Sequence, residues 1–225
     1  MGVEPAPSPY RAGVRAVLPF TIAVAGFGIS YGVLARSAGF TPAAAVVMSG
    51  TTFAGSAQFA SASILEAGGT VAAAILAAVL LNLRYAPIGI SVAPVMSGGF
   101  LRRVVLAQLV VDESWALASR GDGTYDRGRL IGAGVALYVA WVGSTAIGAL
   151  GAEFLGDPAA LGLDAAFPAL FLALLWPQVR DRRALLAAVI GAAIAIALVP
   201  VTPPGVPIIA AGAACLIGLF DGRRS

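Results

Sequence analysis

The sequence predicts an all-α fold: a polytopic transmembrane helical bundle of about seven or eight membrane elements, broken or re-entrant helices among them. Three observations predict it. Of the 225 residues, 59% are hydrophobic and only 11% charged, where an ordinary soluble domain runs near about 25% charged. Apolar runs of about 16 residues or more recur along the chain. At about 20 residues per span these runs fill it, leaving no stretch for a soluble domain, a nucleotide-binding module or a long linker. Residues 1–12 are expected as a flexible cytoplasmic tail and 13–221 as a single transmembrane domain.

Pro5, Pro7 and Pro9 mark the tail, and Arg11 and Arg15 flank the start of a first apolar run, Val14 to Ala35. A signal peptide has a shorter apolar region, about 7–15 residues, so this run reads as a retained helix with a cytoplasmic N-terminus. Gly28 and Gly32 carry the small-xxx-small spacing that lets helices approach closely. After the loop Arg36 to Pro42 comes a second element, Ala43 to Leu65, and then the turn Glu66 to Gly69. The third, Thr70 to Met96, is interrupted by Asn82, Arg84, Pro87 and Pro94 and is expected to kink or break. Ser97 to Arg103 reads as a loop, Val104 to Ser119 as a short fourth run, and Arg120 to Arg129 as the most polar loop. Leu130 to Gly151 is a clean fifth helix, with Gly143, Gly148 and Gly151 as packing positions. An acidic loop, Ala152 to Asp164, leads to a short sixth element, Ala165 to Pro177. The arginine-rich Gln178 to Arg183 precedes a seventh run, Ala184 to Pro200. A proline-rich turn, Thr202 to Pro207, leads into an eighth, Ile208 to Phe220.

All 14 basic residues are arginine, and most sit in short loops beside apolar runs. There they act as topology signals, not as a nucleic-acid footprint. Alternating the spans back from Arg223 and Arg224 puts the 180–183 loop, the 120–129 loop and the N-terminus in the cytoplasm, and the acidic loop outside. Arg102 and Arg103 then fall outside, against the rule, with Arg36 a weaker exception. A re-entrant second or fourth element would change this count. The single cysteine, Cys215, allows no intrachain disulfide. Without histidine, only carboxylates remain as metal ligands, so neither a metal nor a cofactor is expected. No Walker motif is present to drive the chain with ATP.

The polar residues inside apolar runs carry the functional signal. Gly50-Thr51-Thr52-Phe53-Ala54-Gly55-Ser56-Ala57-Gln58-Phe59 has two glycines and four hydrogen-bonding side chains at membrane depth. A glutamine amide facing lipid would leave polar groups unpaired, so the stretch must face protein or a wet cavity. A helix broken there frees backbone N–H and C=O groups to bind a charged headgroup, and Phe53 and Phe59 add apolar surface. Arg84, between Asn82 and Tyr85, is costly to bury unless paired. Asp112 and Glu113 are its natural counter-charges. About 100° apart on a helix, one can pair with Arg84 while the other faces a cavity and carries protons. The candidate substrate-binding residues are thus Gly50, Thr51, Thr52, Phe53, Gly55, Ser56, Gln58, Phe59, Asn82, Arg84 and Tyr85. Asp112 and Glu113 are the candidates for charge or proton coupling. A blander reading makes the threonines, Ser56 and Gln58 hydrogen-bonding glue between helices. Trp141 and Trp176 read as core or interface-belt residues.

At three stretches the chain resembles the AzlC family of branched-chain amino acid permeases. They are Phe53-Ala54-Gly55-Ser56-Ala57-Gln58-Phe59, Asn82-Leu83-Arg84-Tyr85 and Asp112-Glu113-Ser114-Trp115-Ala116, in that order. The resemblance covers the chain from about Arg11 to Phe220. Family members often have histidine where Tyr85 stands, so a role that needs imidazole is not expected here. The resemblance implies a single transporter domain exporting branched-chain amino acids across the cytoplasmic membrane, with a small AzlD-like membrane subunit as partner. Proton coupling through a carboxylate is a further expectation. Two rival readings stay open: a membrane assembly subunit that transports nothing itself, and an intramembrane enzyme using Ser56, Ser114, Asp112 or Glu113.

Overall fold

The computed structural model describes residues 8–155, 172, 176, 179, 182–203 and 206–214. In chain order the described helices are α1 (Pro9–Ser37), α2 (Pro42–Thr52), α3 (Gly55–Glu66), α4 (Val71–Asn82) and α5 (Tyr85–Val92). They continue with α6 (Phe100–Ala107), α7 (Asp112–Ala118), α8 (Arg127–Leu155), α9 (Arg182–Leu198) and α10 (Val206–Gly212). A 3-10 turn, Ala93–Val95, extends α5, and among the described residues the only β pairing is an isolated bridge between Ser119 and Tyr125. Isolated positions apart, the expected sixth element and most of its flanking loops lie outside the described residues, as do Cys215 and the terminal arginines, while residues 152–155, expected in the acidic loop, continue α8.

Two helices, Pro9–Ser37 and Arg127–Ala152, are long and apolar enough to cross a bilayer, and α4 with α5 makes a third if its 42° bend is taken within one span. The described residues therefore hold fewer straight spans than expected. The second and fourth elements are pairs of short helices. The first helix also starts earlier than expected: residues 9–12, assigned to the tail, are helical, because Pro9 occupies a first-turn position where its missing N–H costs nothing.

Helices α1 and α8 form the central column and run parallel. Their contacts keep one register from end to end. A Cβ on Gly13 would lie 3.0 Å from Ala133 N, one on Gly28 3.0 Å from Trp141 O, and one on Gly32 2.8 Å from Gly148 C. From the other side, a Cβ on Gly148 would lie 2.8 Å from Ile29 Cα. Only glycine permits this backbone-to-backbone approach, as the Gly28/Gly32 spacing predicts. Gly148 packs as expected, but Gly143 and Gly151 meet nothing within 4 Å among the described residues.

Parallel packing places Pro9 beside Gly128, so Arg11, Arg15, Arg127 and Arg129 lie at one end of the column, and Arg36 lies at the other. From the Arg36 end, α2 descends; Thr41 caps it by accepting the Ala44 N–H at 3.1 Å. It stops at Phe53, whose φ of 41° is left-handed and, among the described residues, the only positive φ outside glycine. Helix α3 then climbs back: Gly55 packs on Trp141, and Phe59 meets Tyr31 edge-on at 5.7 Å. Helices α4 and α5 descend to the Arg127 end, where Arg127 Nη1 donates to Ser97 Oγ at 2.8 Å.

Helix α6 climbs from that end until Gln108 Nε2 reaches Gly50 O at 3.1 Å and Thr51 O at 2.9 Å. Helix α7 then descends, and Arg120 to Asp126 lead into α8. Arg102 and Arg103, expected at the opposite end from Arg11 and Arg15, therefore share it. The fourth element turns back at Gln108 instead of running the length of the column, which brings these arginines to the same end. At the far end of the chain, α9 packs on α10, with Gly191 facing Ala211, and α10 touches α4 at Leu80.

Candidate functional site

The α2–α3 break is held by a buried polar cluster. Gln58, 0% exposed, accepts the Ala54 N–H at 3.2 Å and the Trp141 Nε1–H at 3.1 Å. Its Nε2 donates to Ser49 Oγ at 2.9 Å, and Ser49 shares a 2.9 Å hydrogen bond with Thr145. The last carbonyls of a helix have no partner within it. Here Gly50 O is satisfied by the Tyr138 hydroxyl at 2.8 Å and by Gln108. Tyr31, Phe59 and Trp141 pack around the break as an aromatic group, the Tyr31 and Trp141 rings stacked at 6.1 Å.

Against this break lies a cavity of about 240 Å³. Its floor comes from α1 and α8: Phe20, Ala23, Val24, Phe27, Leu137 and Trp141. One wall is Phe53, Gly55, Ser56 and Phe59 at the start of α3; the other is Arg84, Tyr85, Val111, Asp112 and Glu113. Arg84 stands at the α4–α5 bend, where Pro87 lacks the N–H that Leu83 O would otherwise accept. Its Nη2 pairs with Asp112 Oδ2 at 3.2 Å and donates to the Tyr85 hydroxyl at 3.3 Å. The two charged side chains are only partly buried, 37% and 42% exposed, so the pair is a weak source of stability, about 0–1 kcal/mol where water reaches it. Its weight lies in setting charge at the cavity wall. Asp112 and Glu113 open α7, the end of a helix where the dipole favours acids. Ser114 completes that start, its Oγ accepting the Val111 N–H at 3.0 Å and donating to Leu109 O at 2.8 Å.

Residues 19–155, more than half of the chain, match the family described as AzlC protein. The chain belongs to the AzlC family. Its relatives include an uncharacterized membrane protein of Archaeoglobus fulgidus, 32% identical over 95% of this chain and 96% of that one. The inner membrane protein YgaZ of Escherichia coli is 28% identical over 94% of this chain and 90% of its own. The branched-chain amino acid transport protein AzlC of Bacillus subtilis is 29% identical over 74% of this chain and 68% of its own. No solved structure matches.

The three stretches that carry the AzlC resemblance meet at this cavity. Of the candidate site residues, it gathers Phe53, Gly55, Ser56, Phe59, Arg84, Tyr85, Asp112 and Glu113. The others do not line it. Gln58 and the Gly50 carbonyl are spent in the polar cluster, and Thr51 Oγ1 donates to its own helix at Val47 O, 2.7 Å away. Thr52 and Asn82 line a separate recess with Ser61 and Leu65. Asp112 pairs with Arg84, and Arg84 and both acids line the same cavity. Sequence reasoning missed the α1 stripe Phe20, Ala23, Val24 and Phe27; its i, i+3, i+4, i+7 spacing is visible but reads equally well as packing. It also missed Trp141 as a wall and Gln108 as the link between the two broken pairs.

Proposed function

We propose that this AzlC-family chain is a secondary transporter that exports branched-chain amino acids across the cytoplasmic membrane, with a small AzlD-like membrane subunit. The name of the Bacillus subtilis relative supports the substrate class. One observation carries the transport reading: two broken helix pairs enter from opposite ends of the α1–α8 column and touch at Gln108, beside a cavity holding one arginine and two carboxylates. Both pairs are re-entrant in this reading. An element long enough to span, followed by a broken pair, occurs twice if the bent α4–α5 is one span, α1 with α2–α3 and α4–α5 with α6–α7, in opposite directions. That is the inverted-repeat pattern on which alternating access is built, with unwound backbone at mid-depth only where it lines a cavity.

The end that bears Arg11, Arg15, Arg102, Arg103, Arg120, Arg127 and Arg129 is cytoplasmic in this reading. Asp112 and Glu113 are the acids this reading assigns to charge or proton coupling. Transport is favoured over catalysis because, among the described residues, neither serine of the motifs hydrogen-bonds a base. Ser114 is committed to the start of α7, and Ser56 Oγ has no hydrogen-bond partner.

The test is efflux from cells loaded with labelled leucine or valine and expressing this chain with the small subunit. Arg84→Ala and Asp112→Asn should each slow efflux roughly ten-fold or more, since either leaves a lone charge facing the substrate. Efflux equal to wild type in both variants removes the mechanism. Normal efflux from the small subunit alone favours the assembly-subunit reading instead.

A further inference from the structure

We infer that the cavity is a two-pole cradle for a zwitterion: the start of α3, with Ser56, takes a carboxylate, and Glu113 takes an ammonium. The inference rests on reading the cavity as the transport site, and it fixes which end of the substrate meets which broken helix pair.

The first pole is an uncompensated helix start. Ser56 is 5% exposed, lines the cavity, and its Oγ is buried without a hydrogen-bond partner. Nearly all buried hydroxyls in folded proteins have one, and this one, unpartnered among the described residues, borders the cavity. Around it, the first-turn N–H groups of α3 have no carbonyl within the helix to donate to. No side chain caps α3, and its first turn holds no acid. The Ala54 N–H, just before, is already taken by Gln58. An anion placed here meets N–H donors, a hydroxyl and the positive end of the helix dipole together.

The start of α7, on the opposite wall, is answered already. Asp112 and Glu113 fill its first turn and Ser114 accepts the Val111 N–H. This wall carries two acids and a single cation. Asp112 is matched by Arg84, while Glu113, on the same cavity, forms no ion pair among the described residues. Among the described residues, one carboxylate without an ion pair and one helix start without a capping side chain thus face a single space. The remaining lining, Phe20, Val24, Phe27, Val111 and Leu137, is apolar. A volume of about 240 Å³ is below the roughly 300–1,000 Å³ of pockets for drug-sized ligands. It suits one amino acid with an uncharged aliphatic side chain, because a charged side chain would be stranded among those apolar residues. The two poles belong to different broken pairs, so only a ligand with both charges ties α3 to α7.

The experiment is equilibrium binding of tritiated leucine to the purified chain with its small subunit, competed by 3-methylbutylamine and by 4-methylpentanoate. These are leucine without its carboxylate and leucine without its ammonium. Each should compete roughly a hundred-fold less well than leucine, since each leaves one pole unanswered. Ser56→Ala should weaken leucine roughly ten-fold without changing the amine, Ser56→Thr should restore it, and Glu113→Gln should weaken leucine and the amine but not the acid. Wild-type affinity for leucine in both Ser56→Ala and Glu113→Gln overturns the cradle, as does either analogue competing as well as leucine. Ala23→Phe separates the two levels. If it abolishes leucine binding while the pole variants do not, the cavity stands as the site and the cradle falls. If leucine still binds to Ala23→Phe, the site lies elsewhere and the transport reading of this cavity falls with it. Folded wild-type protein that binds none of the three ligands overturns both.

Discussion

Gln58 shows how one polar residue can resemble a ligand group and act as a strut. Its amide ties the start of α3 to α2 through Ser49 and to α8 through Trp141. Replacing it by leucine strands the Ala54 N–H, the Trp141 indole N–H and part of the Ser49 hydroxyl's bonding. Each stranded group costs about 1–3 kcal/mol. Gln58→Leu should therefore lower stability by about 3 kcal/mol or more, read as a fall in melting temperature in detergent. Gln58→Leu with unchanged melting would show that the break is held by packing alone. The polar cluster announced a break and a pocket, and both exist. It did not say which polar side chain faces which way, because that depends on the left-handed turn at Phe53. Five residues on, the same stretch supplies the strut; three residues on, it supplies the pocket. Charge was easier to read. Arg84 and the two acids have few affordable places at membrane depth, and mutual proximity is the cheapest.

At the scale of the helix, the glycines of the α1–α8 seam and those beside it make opposite predictions. Gly32→Val should separate the two backbones and cost at least about 1–3 kcal/mol by overpacking, since a Cβ there already meets Ala149 and Gly148 main chain. Gly143→Ala, on α8 and with no described residue within 4 Å of its Cβ position, should be neutral or raise stability by up to about 1 kcal/mol through helix propensity. Equal losses in both would mean that the parallel seam is not what joins these helices. The α2–α3 break was legible from Gly50 and Gly55, and the α4–α5 bend from Pro87.

The α6–α7 break was not legible, because Gln108-Leu109-Val110-Val111 contains neither glycine nor proline. It is imposed from outside. Gln108 is drawn to the α2 carbonyls, the Leu109 backbone fits against Gly134, and Ser114 caps the restart. The start of α8 depends on Asp126, which accepts the Arg129 N–H at 3.0 Å and pairs with Arg120 at 3.1 Å. The Arg129 N–H foremost, and the Arg120 guanidinium after it, hold the Asp126 carboxyl below the usual range. A depressed folded pKa stabilises above the unfolded value, near about 3.9, and that stability is lost as pH falls through the folded pKa. Asp126→Ala should cost about 0.5–2 kcal/mol near neutral pH. Asp126→Asn should keep most of the cap and lose that acid-side dependence in a pH series of thermal melts.

For the molecule as a whole, the parallel α1 and α8 impose a condition on everything between them. Two helices that cross in the same direction must be joined by a chain that makes a net single return. Four short connected elements, α2–α3 and α6–α7, must then leave on the side they entered, so that α4–α5 supplies the return. Hydropathy alone could not show this. A pair of short apolar helices that turns back has the same composition as one that crosses, and only the contacts at Gln108, Tyr138 and Arg127 decide the direction. The arginines agree once the turn-back is admitted, because Arg102 and Arg103 move to the end that holds Arg11 and Arg15. Single cysteine reporters on a Cys215→Ser background make the arrangement measurable with a membrane-impermeant maleimide. Ser8→Cys, Ser97→Cys and Thr124→Cys should label in inside-out vesicles, and Ala38→Cys and Ala67→Cys in right-side-out vesicles. Labelling of Ser97→Cys from the same side as Ala67→Cys would mean that α4–α5 does not cross. The two broken pairs would then share one face, and no cavity between them could open to each side in turn.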